Sequence, residues 1–260
     1  MDLQLQGRTA IVCGSSRGLG RASAVALAQE GVRVLISGRT EADVNATVAA
    51  INAAADDRNA VGVICDVTSS AGRKALLAAM PEADILVNNC AGPTPRQFLE
   101  TSEEDWLAAT ASNMTAPLLL TKAVLPGMIA RRFGRIINIT SAMVTTPRTH
   151  MTLSAAPRAG LTAAMKAISL DVARHNVTIN NLLPERIDTD RQIFMAKAQA
   201  ARENISYEQA RASQVQSIAA RRLGRPEEFG AACAFLCSAL AGFISGQNLH
   251  LDGGSYPALI

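Results

Sequence analysis

The residues Gly14-Ser15-Ser16-Arg17-Gly18-Leu19-Gly20 are spaced to hold a phosphate group. They follow an apolar run, Thr9–Cys13, that reads as a buried strand. They precede Arg21–Glu30, whose apolar residues recur at helical spacing. A strand, a glycine turn and a helix set the helix's unpaired N–H groups and positive dipole end against whatever lies in the loop. The glycines let the backbone approach that guest closely, and the natural guest is the pyrophosphate of a dinucleotide. Gly14, Ser16, Arg17, Gly18, Leu19 and Gly20 are therefore the expected cradle.

Three further places carry chemistry. In dinucleotide folds an acid at the end of the second strand binds the adenosine ribose hydroxyls. Here that place holds Gly38, followed by Arg39. Arg39 and Arg17 can clamp a 2′-phosphate by charge-assisted hydrogen bonds, so NADP(H) is expected ahead of NAD(H). Asp66, in Cys65-Asp66-Val67-Thr68, can accept from an adenine amino group, cap the helix after Thr68, or do both. Asn88-Asn89-Cys90-Ala91-Gly92 ends the fourth apolar run. Its backbone would line the cofactor at Asn89, Cys90 and Ala91, and a buried Asn there can also tie neighbouring strands together.

The elements that must position these residues alternate along the chain. Strands are expected at 9–13, 32–37, 60–65, 85–88, 135–140, 177–182 and 248–251. Helices are expected at 18–30, 41–54, 71–80, 103–131, 155–175, 191–220 (broken) and 226–240. Such alternation implies right-handed crossovers. The fold class is α/β: a single Rossmann domain over residues 1–260, with a doubly wound seven-stranded parallel sheet and helices on both faces. The polar stretch 191–222 departs from this rhythm and is expected to cover the site as a substrate lid.

Composition excludes several functions. Aromatic residues are 3% of the chain and the net charge is +3 without a basic block, so no nucleic-acid partner is expected. The longest nearly apolar run, Ala231–Ile244, is too short to span a bilayer, so no membrane partner is expected. The five cysteines show no metal spacing. Cys13 and Cys65 read as buried thiols, and Cys233 and Cys237 as one packed helix face. An unpaired set of this kind, with no signal peptide at Met1–Gln6, points to the cytoplasm.

Taken jointly, the motifs resemble the classical short-chain dehydrogenase/reductase family over nearly the whole chain, and are similar to 3-oxoacyl-acyl-carrier-protein reductase-like proteins. The glycine loop, Asp66-Val67 and Asn88-Asn89-Cys90-Ala91 carry the first half of the resemblance. Gly134-Arg-Ile-Ile-Asn-Ile-Thr-Ser141 looks like the catalytic-serine strand, with Ser141 as the serine. Asn113 looks like the helix Asn that supports a proton-relay water. Asn180–Pro184 and Ile187-Asp188-Thr189 resemble the segment that holds the nicotinamide carboxamide, which implies Pro184, Ile187 and Thr189 as cofactor contacts. Leu223–Glu227 and Ser245–Gly254 resemble the C-terminal signature. The resemblance implies hydride transfer between NADP(H) and a carbonyl or secondary alcohol on a small-molecule substrate. It also implies a homodimer or homotetramer, in line with the alanine-rich, many-sided helices 103–131 and 155–175.

One part of the family pattern is absent. The Tyr-x-x-x-Lys pair belongs 13 residues after the serine, and Ser154-Ala-Ala-Pro-Arg158 stands there. The chain's only tyrosines are Tyr207 and Tyr256. A phenol can be tuned to exchange a proton near neutrality; a serine hydroxyl without a base cannot. Arg158 keeps the positive charge and can donate to ribose hydroxyls, but does not deprotonate. Ser154 reads either as a catalytic group or as the N-cap of a helix beginning at Ala155, which would put Pro157 at the third helical position. His150 is a candidate proton donor. Glu185 reads as an acid beside the nicotinamide or as the partner of an arginine. Tyr207 is a candidate donor or a packing residue. Two functions stay open: an NADP-dependent oxidoreductase with a degenerate site, and an NADP(H)-binding pseudoenzyme that senses or interacts.

Overall fold

Short runs of Val, Ile and Leu that are apolar on both faces can be satisfied only inside a sheet covered from both sides. The computed structural model, which describes residues 1–54 and 59–259, contains such a sheet. Its strands are β1 (Thr9–Val12), β2 (Arg33–Gly38), β3 (Ala60–Ile64), β4 (Ile85–Asn88), β5 (Gly134–Ile139), β6 (Val177–Pro184) and β7 (Asn248–Leu251). All neighbours pair in parallel, in the order β3-β2-β1-β4-β5-β6-β7. The order reverses between β1 and β4, which opens a crevice at the carboxyl ends of the strands.

Two apolar layers sandwich the sheet. On one face α1 (Gly18–Gln29) and α9 (Pro226–Cys237) bury Leu27, Phe229, Cys233 and Cys237 against β1 and β2. On the other, α5 (Ala116–Arg131) and α6 (Thr152–Val172) bury Leu120, Met128, Leu161 and Met165. The remaining helices are α2 (Glu41–Ala54), α3 (Ser70–Ala79), α4 (Glu103–Thr110), α7 (Asp190–Glu203) and α8 (Tyr207–Gln216). No described helix is long and apolar enough to cross a membrane.

Four expectations need correction. The helix expected over 103–131 is interrupted by a π-helical turn, Ala111–Thr115, between α4 and α5. Pro117 has no N–H for the Asn113 carbonyl, and the ladder widens so that Ala116 N–H reaches Ala111 O instead. Ser154 does not cap α6. The helix starts at Thr152, directly from a 3₁₀ turn at Thr149–Met151, so Ser154 lies within the first turn and Pro157 in the second. Asp66 does not cap α3 either: Ser69 does, accepting from Gly72 N–H, while Asp66 Oδ1 accepts from the N–H and hydroxyl of Thr68. Cys65 is half-buried at the crevice edge rather than buried, whereas Cys13, Cys233 and Cys237 are buried as expected.

The sheet carries a polar seam. Asn88, Asn138, Asn181 and Asn248 stand opposite one another on β4, β5, β6 and β7. Asn88 Nδ2 donates to Asn138 Oδ1 (2.9 Å), Asn138 Nδ2 to Asn181 Oδ1 (2.9 Å), and Asn181 Nδ2 to Asn248 Oδ1 (2.8 Å). In a dry interior each member depends on the next. Asn138→Ala removes the central link. It should lower the unfolding free energy in urea by about 2–5 kcal/mol. Asn248→Ala, at the exposed end, should cost about 1 kcal/mol or less. Equal losses at the two positions would contradict a seam whose cost scales with burial.

Candidate active site

A cleft of about 780 Å³ runs along the carboxyl ends of β1 to β6. Its wall contains the expected residues Gly14, Ser16, Arg17, Gly18, Leu19, Arg39, Asp66, Val67, Asn89, Cys90, Ala91, Ser141, Ser154, Arg158, Pro184, Ile187 and Thr189. Gly20 and Asn113 lie behind the wall.

At one end the glycine loop is shaped by contact rather than by sequence habit. Gly14 and Gly18 have φ of +52° and +58°, a region that side chains disfavour. A Cβ on Gly20 would stand 2.4 Å from Gly14 O, so only glycine fits there. Asn89 Nδ2 donates to the same carbonyl (2.9 Å), pinning the loop to the end of β4. Ser37 Oγ accepts from Gly14 N–H (3.1 Å) and donates to Val12 O (3.2 Å), a brace that the sequence reading missed. No side chain caps α1, so its first N–H groups are available to a ligand.

The ribose end bears on cofactor choice. A Cβ on Gly38 would stand 2.7 Å from Ser16 Oγ, so an acid there would have to displace the Ser16 side chain. Arg17, an exposed side chain, has Nε 3.4 Å from Asp43. Arg39 lies in the cleft wall with no carboxylate within 4 Å among the described residues. The Thr68 hydroxyl and then its N–H hold the Asp66 carboxyl below its ordinary range, which keeps it an acceptor.

At the other end Ser141 closes β5. Its Oγ accepts from Met143 N–H (3.2 Å), which leaves its own O–H free. Ser154 and Arg158 are one turn apart on one face of α6. Arg158 is nine-tenths buried, and its Nη1 donates to the carbonyls of Ile139 (2.7 Å) and Thr140 (2.9 Å), just before Ser141. Burial pushes its guanidinium down to about 10, so it stays charged at neutral pH. Asn113, in the π turn, donates to Ala109 O and Ser112 Oγ, while its buried Oδ1 has no partner.

Glu185 is paired as the second of its two readings had it: Oε1 lies 3.0 Å from Arg148 and 3.3 Å from Arg186. His150 lines the cleft, and burial, then Arg202, Arg148 and Arg186, push its imidazole below its ordinary value. It is therefore neutral at pH 7, suited to accept rather than supply a proton. Burial pushes the Cys90 thiol up, so it is no ready nucleophile. Neither tyrosine reaches the wall: Tyr207 opens α8, and Tyr256 stacks on His250 with centroids 4.2 Å apart.

Of the segment 191–222, only Arg191, Gln192 and Met195, on the first turns of α7, face the cleft. Arg191 and Arg148 were missed as site residues. Their only signal was local: Arg191 follows Thr189 by two residues, and Arg148 precedes His150 by two.

Known proteins share this arrangement. A family model described as enoyl-(acyl carrier protein) reductase matches residues 14–256. The 3-oxoacyl-[acyl-carrier-protein] reductase FabG of Vibrio cholerae is 36% identical over 258 residues, covering 98% of this chain and 99% of that protein. The L-sorbose reductase of Gluconobacter frateurii, solved with NADPH and L-sorbose, superposes with a TM-score of 0.93 at 26% identity, over 100% of both chains. YwfH, an NADPH-dependent reductase involved in bacilysin biosynthesis, superposes at 0.91 with 30% identity, over 97% of this chain and 99% of its own. With the glycine loop, the strand order and the serine at the end of β5 all in place, the chain belongs to the classical short-chain dehydrogenase/reductase family of oxidoreductases.

Proposed function

We propose that the protein is an NADP(H)-dependent oxidoreductase acting on a carbonyl or secondary alcohol carbon of a small molecule. The observation that carries this reading is one continuous cleft with a phosphate cradle at one end and Ser141 at the other. The uncapped start of α1 and the contact that only Gly20 permits fit a dinucleotide. Related proteins named as NADPH-dependent, or solved with NADPH, support the same cofactor.

Bound NADPH supplies a hydride to the carbonyl carbon, and a proton is required at the oxygen. The chain's own residues then have separate tasks. The Ser141 O–H donates to the substrate oxygen. Arg158 fixes the end of β5, and with it Ser141, through the Ile139 and Thr140 carbonyls. The unpartnered Asn113 Oδ1 suits an ordered water behind the wall. Ser154 stands where the family phenol would, without the phenol's acidity. Water is thus the proton source in reduction, and neutral His150 an acceptor in oxidation. The free thiols fit a reducing cytoplasm. The exposed Leu107, Leu119 and Leu170 on α4, α5 and α6 fit contact between subunits.

Three outcomes are expected. NADPH should bind more tightly than NADH by about 1.5–3 kcal/mol, and Arg39→Ala should remove most of the gap in calorimetric titrations; equal affinities in the parent protein would refute the 2′-phosphate assignment. Turnover of neutral ketones with NADPH should be slow. Ser154→Tyr with Arg158→Lys should raise it by about 10²–10⁴-fold. Tight NADPH binding without turnover in either protein would instead favour a binding protein. Light scattering at micromolar concentration should give a multiple of 27.3 kDa, and a clean monomer would exclude the assembly.

A further inference from the structure

The substrate end of the cleft holds more positive charge than it balances. Arg148 and Arg186 share Glu185 between them. Arg158 and Arg191 have no carboxylate within 4 Å among the described residues. Both are committed to backbone: Arg158 to the Ile139 and Thr140 carbonyls, Arg191 Nη2 to Pro93 O (2.7 Å). Phe194 lies against Arg191, 5.3 Å from ring centroid to guanidinium carbon. Arg158 is only 7% exposed, and its Nε is buried without a partner.

The two guanidinium groups converge. The point where a Cβ on Gly92 would stand is 3.5 Å from Arg191 Nη2 and 3.8 Å from Arg158 Nη2. Two like charges held close together, one of them nine-tenths buried, are unfavourable unless an anion joins them. At neutral pH neither sheds its proton. Asp190 also reaches the cleft but is exposed and paired with neither. The cofactor's phosphates have their own cradle at the glycine loop, so the anion this pair lacks belongs to the other ligand.

We propose that Arg158 and Arg191 form a receptor for a carboxylate on the substrate, so that the carbonyl compounds taken by this cleft are oxo acids. The proposal rests on the oxidoreductase reading above. Guanidinium groups offer parallel N–H pairs that match the two oxygens of a carboxylate. Because Arg158 is held by the two carbonyls preceding Ser141, a carboxylate on it sets the neighbouring carbonyl within the serine's surroundings. The same contact positions the substrate without asking the arginine pair to transfer a proton.

The test uses short 2-oxo and 3-oxo acids, four to six carbons long, beside their methyl esters. Binding to the full-length protein, with and without saturating NADP⁺, is read by calorimetry. NADPH oxidation is read in parallel. At least one acid should bind about 10- to 100-fold more tightly than its ester. Arg191→Gln should shrink that ratio to about threefold or less, and Arg191→Lys should restore part of it. Acid and ester binding alike in the parent protein would overturn the proposal. So would an Arg191→Gln variant that loses NADPH affinity while keeping the acid-to-ester ratio, since the pair would then serve the cofactor. Inorganic phosphate binding at the pair in preference to every acid would also overturn it. An acid preference without turnover sustains the receptor and sinks the oxidoreductase reading. Equal turnover of acids and esters does the reverse.

Discussion

A guanidinium that is nine-tenths buried and stays charged at neutral pH anchors the end of β5. Arg158 loses most of its hydration, a cost of several kcal/mol for an isolated ion. Two carbonyls at the end of β5 offset part of it. Those carbonyls belong to Ile139 and Thr140, so the compensation also fixes the strand end that presents Ser141. A lysine at the same place would be a compact charge with rotatable donors. The planar group instead spans two carbonyls with one nitrogen and leaves its remaining face toward Gly92.

That frame is stiff where the site needs it to be. The asparagine seam crosses β4, β5, β6 and β7 and ends beside the cleft, so neighbouring strands are tied by side chains as well as by backbone. On the glycine-loop side, Asn89 and Ser37 tie the loop to the end of β4 and to β2. Asn88 and Asn89, at the end of β4, lie at the reversal of strand order between β1 and β4. Ligand groups meeting there face backbone and braced side chains rather than mobile loops.

The central strands were legible in the sequence because a parallel strand covered on both faces is a nearly continuous apolar run, and β4, buried throughout, agrees residue for residue with that reading. The glycine cradle was legible for the same physical reason: Gly20 has no room for a side chain. Helix starts were less so. Pro157 suggested that α6 begin at Ala155, but the 3₁₀ turn at Thr149–Met151 carries the helix past that local rule. The π turn was readable only through Pro117, as a missing donor for one particular carbonyl. Which groups pair across the fold was not readable, although an arginine partner for Glu185 was one of its two readings. Arg148 and Glu185 are 37 residues apart, and the convergence of Arg158 and Arg191 on Gly92 needs three separate elements in place.

On the proposed reading, the serine at position 154 and the unbalanced arginines bear on one another. In a site with a tyrosine and a lysine, the cation lowers the phenol's pKa and the phenol handles the proton. With serine at position 154 there is no such acid to tune, and a cation at position 158 has no catalytic proton to govern. Its charge is then available for binding. Arg191, brought in by α7, doubles that charge at the same point, and desolvation makes an anion worth more there than in water. Binding energy of this kind can orient a carbonyl beside Ser141 and the hydride donor, and orientation alone is a large part of rate enhancement. An anchor of the proposed kind would favour substrates carrying a negative charge next to the reacting carbon.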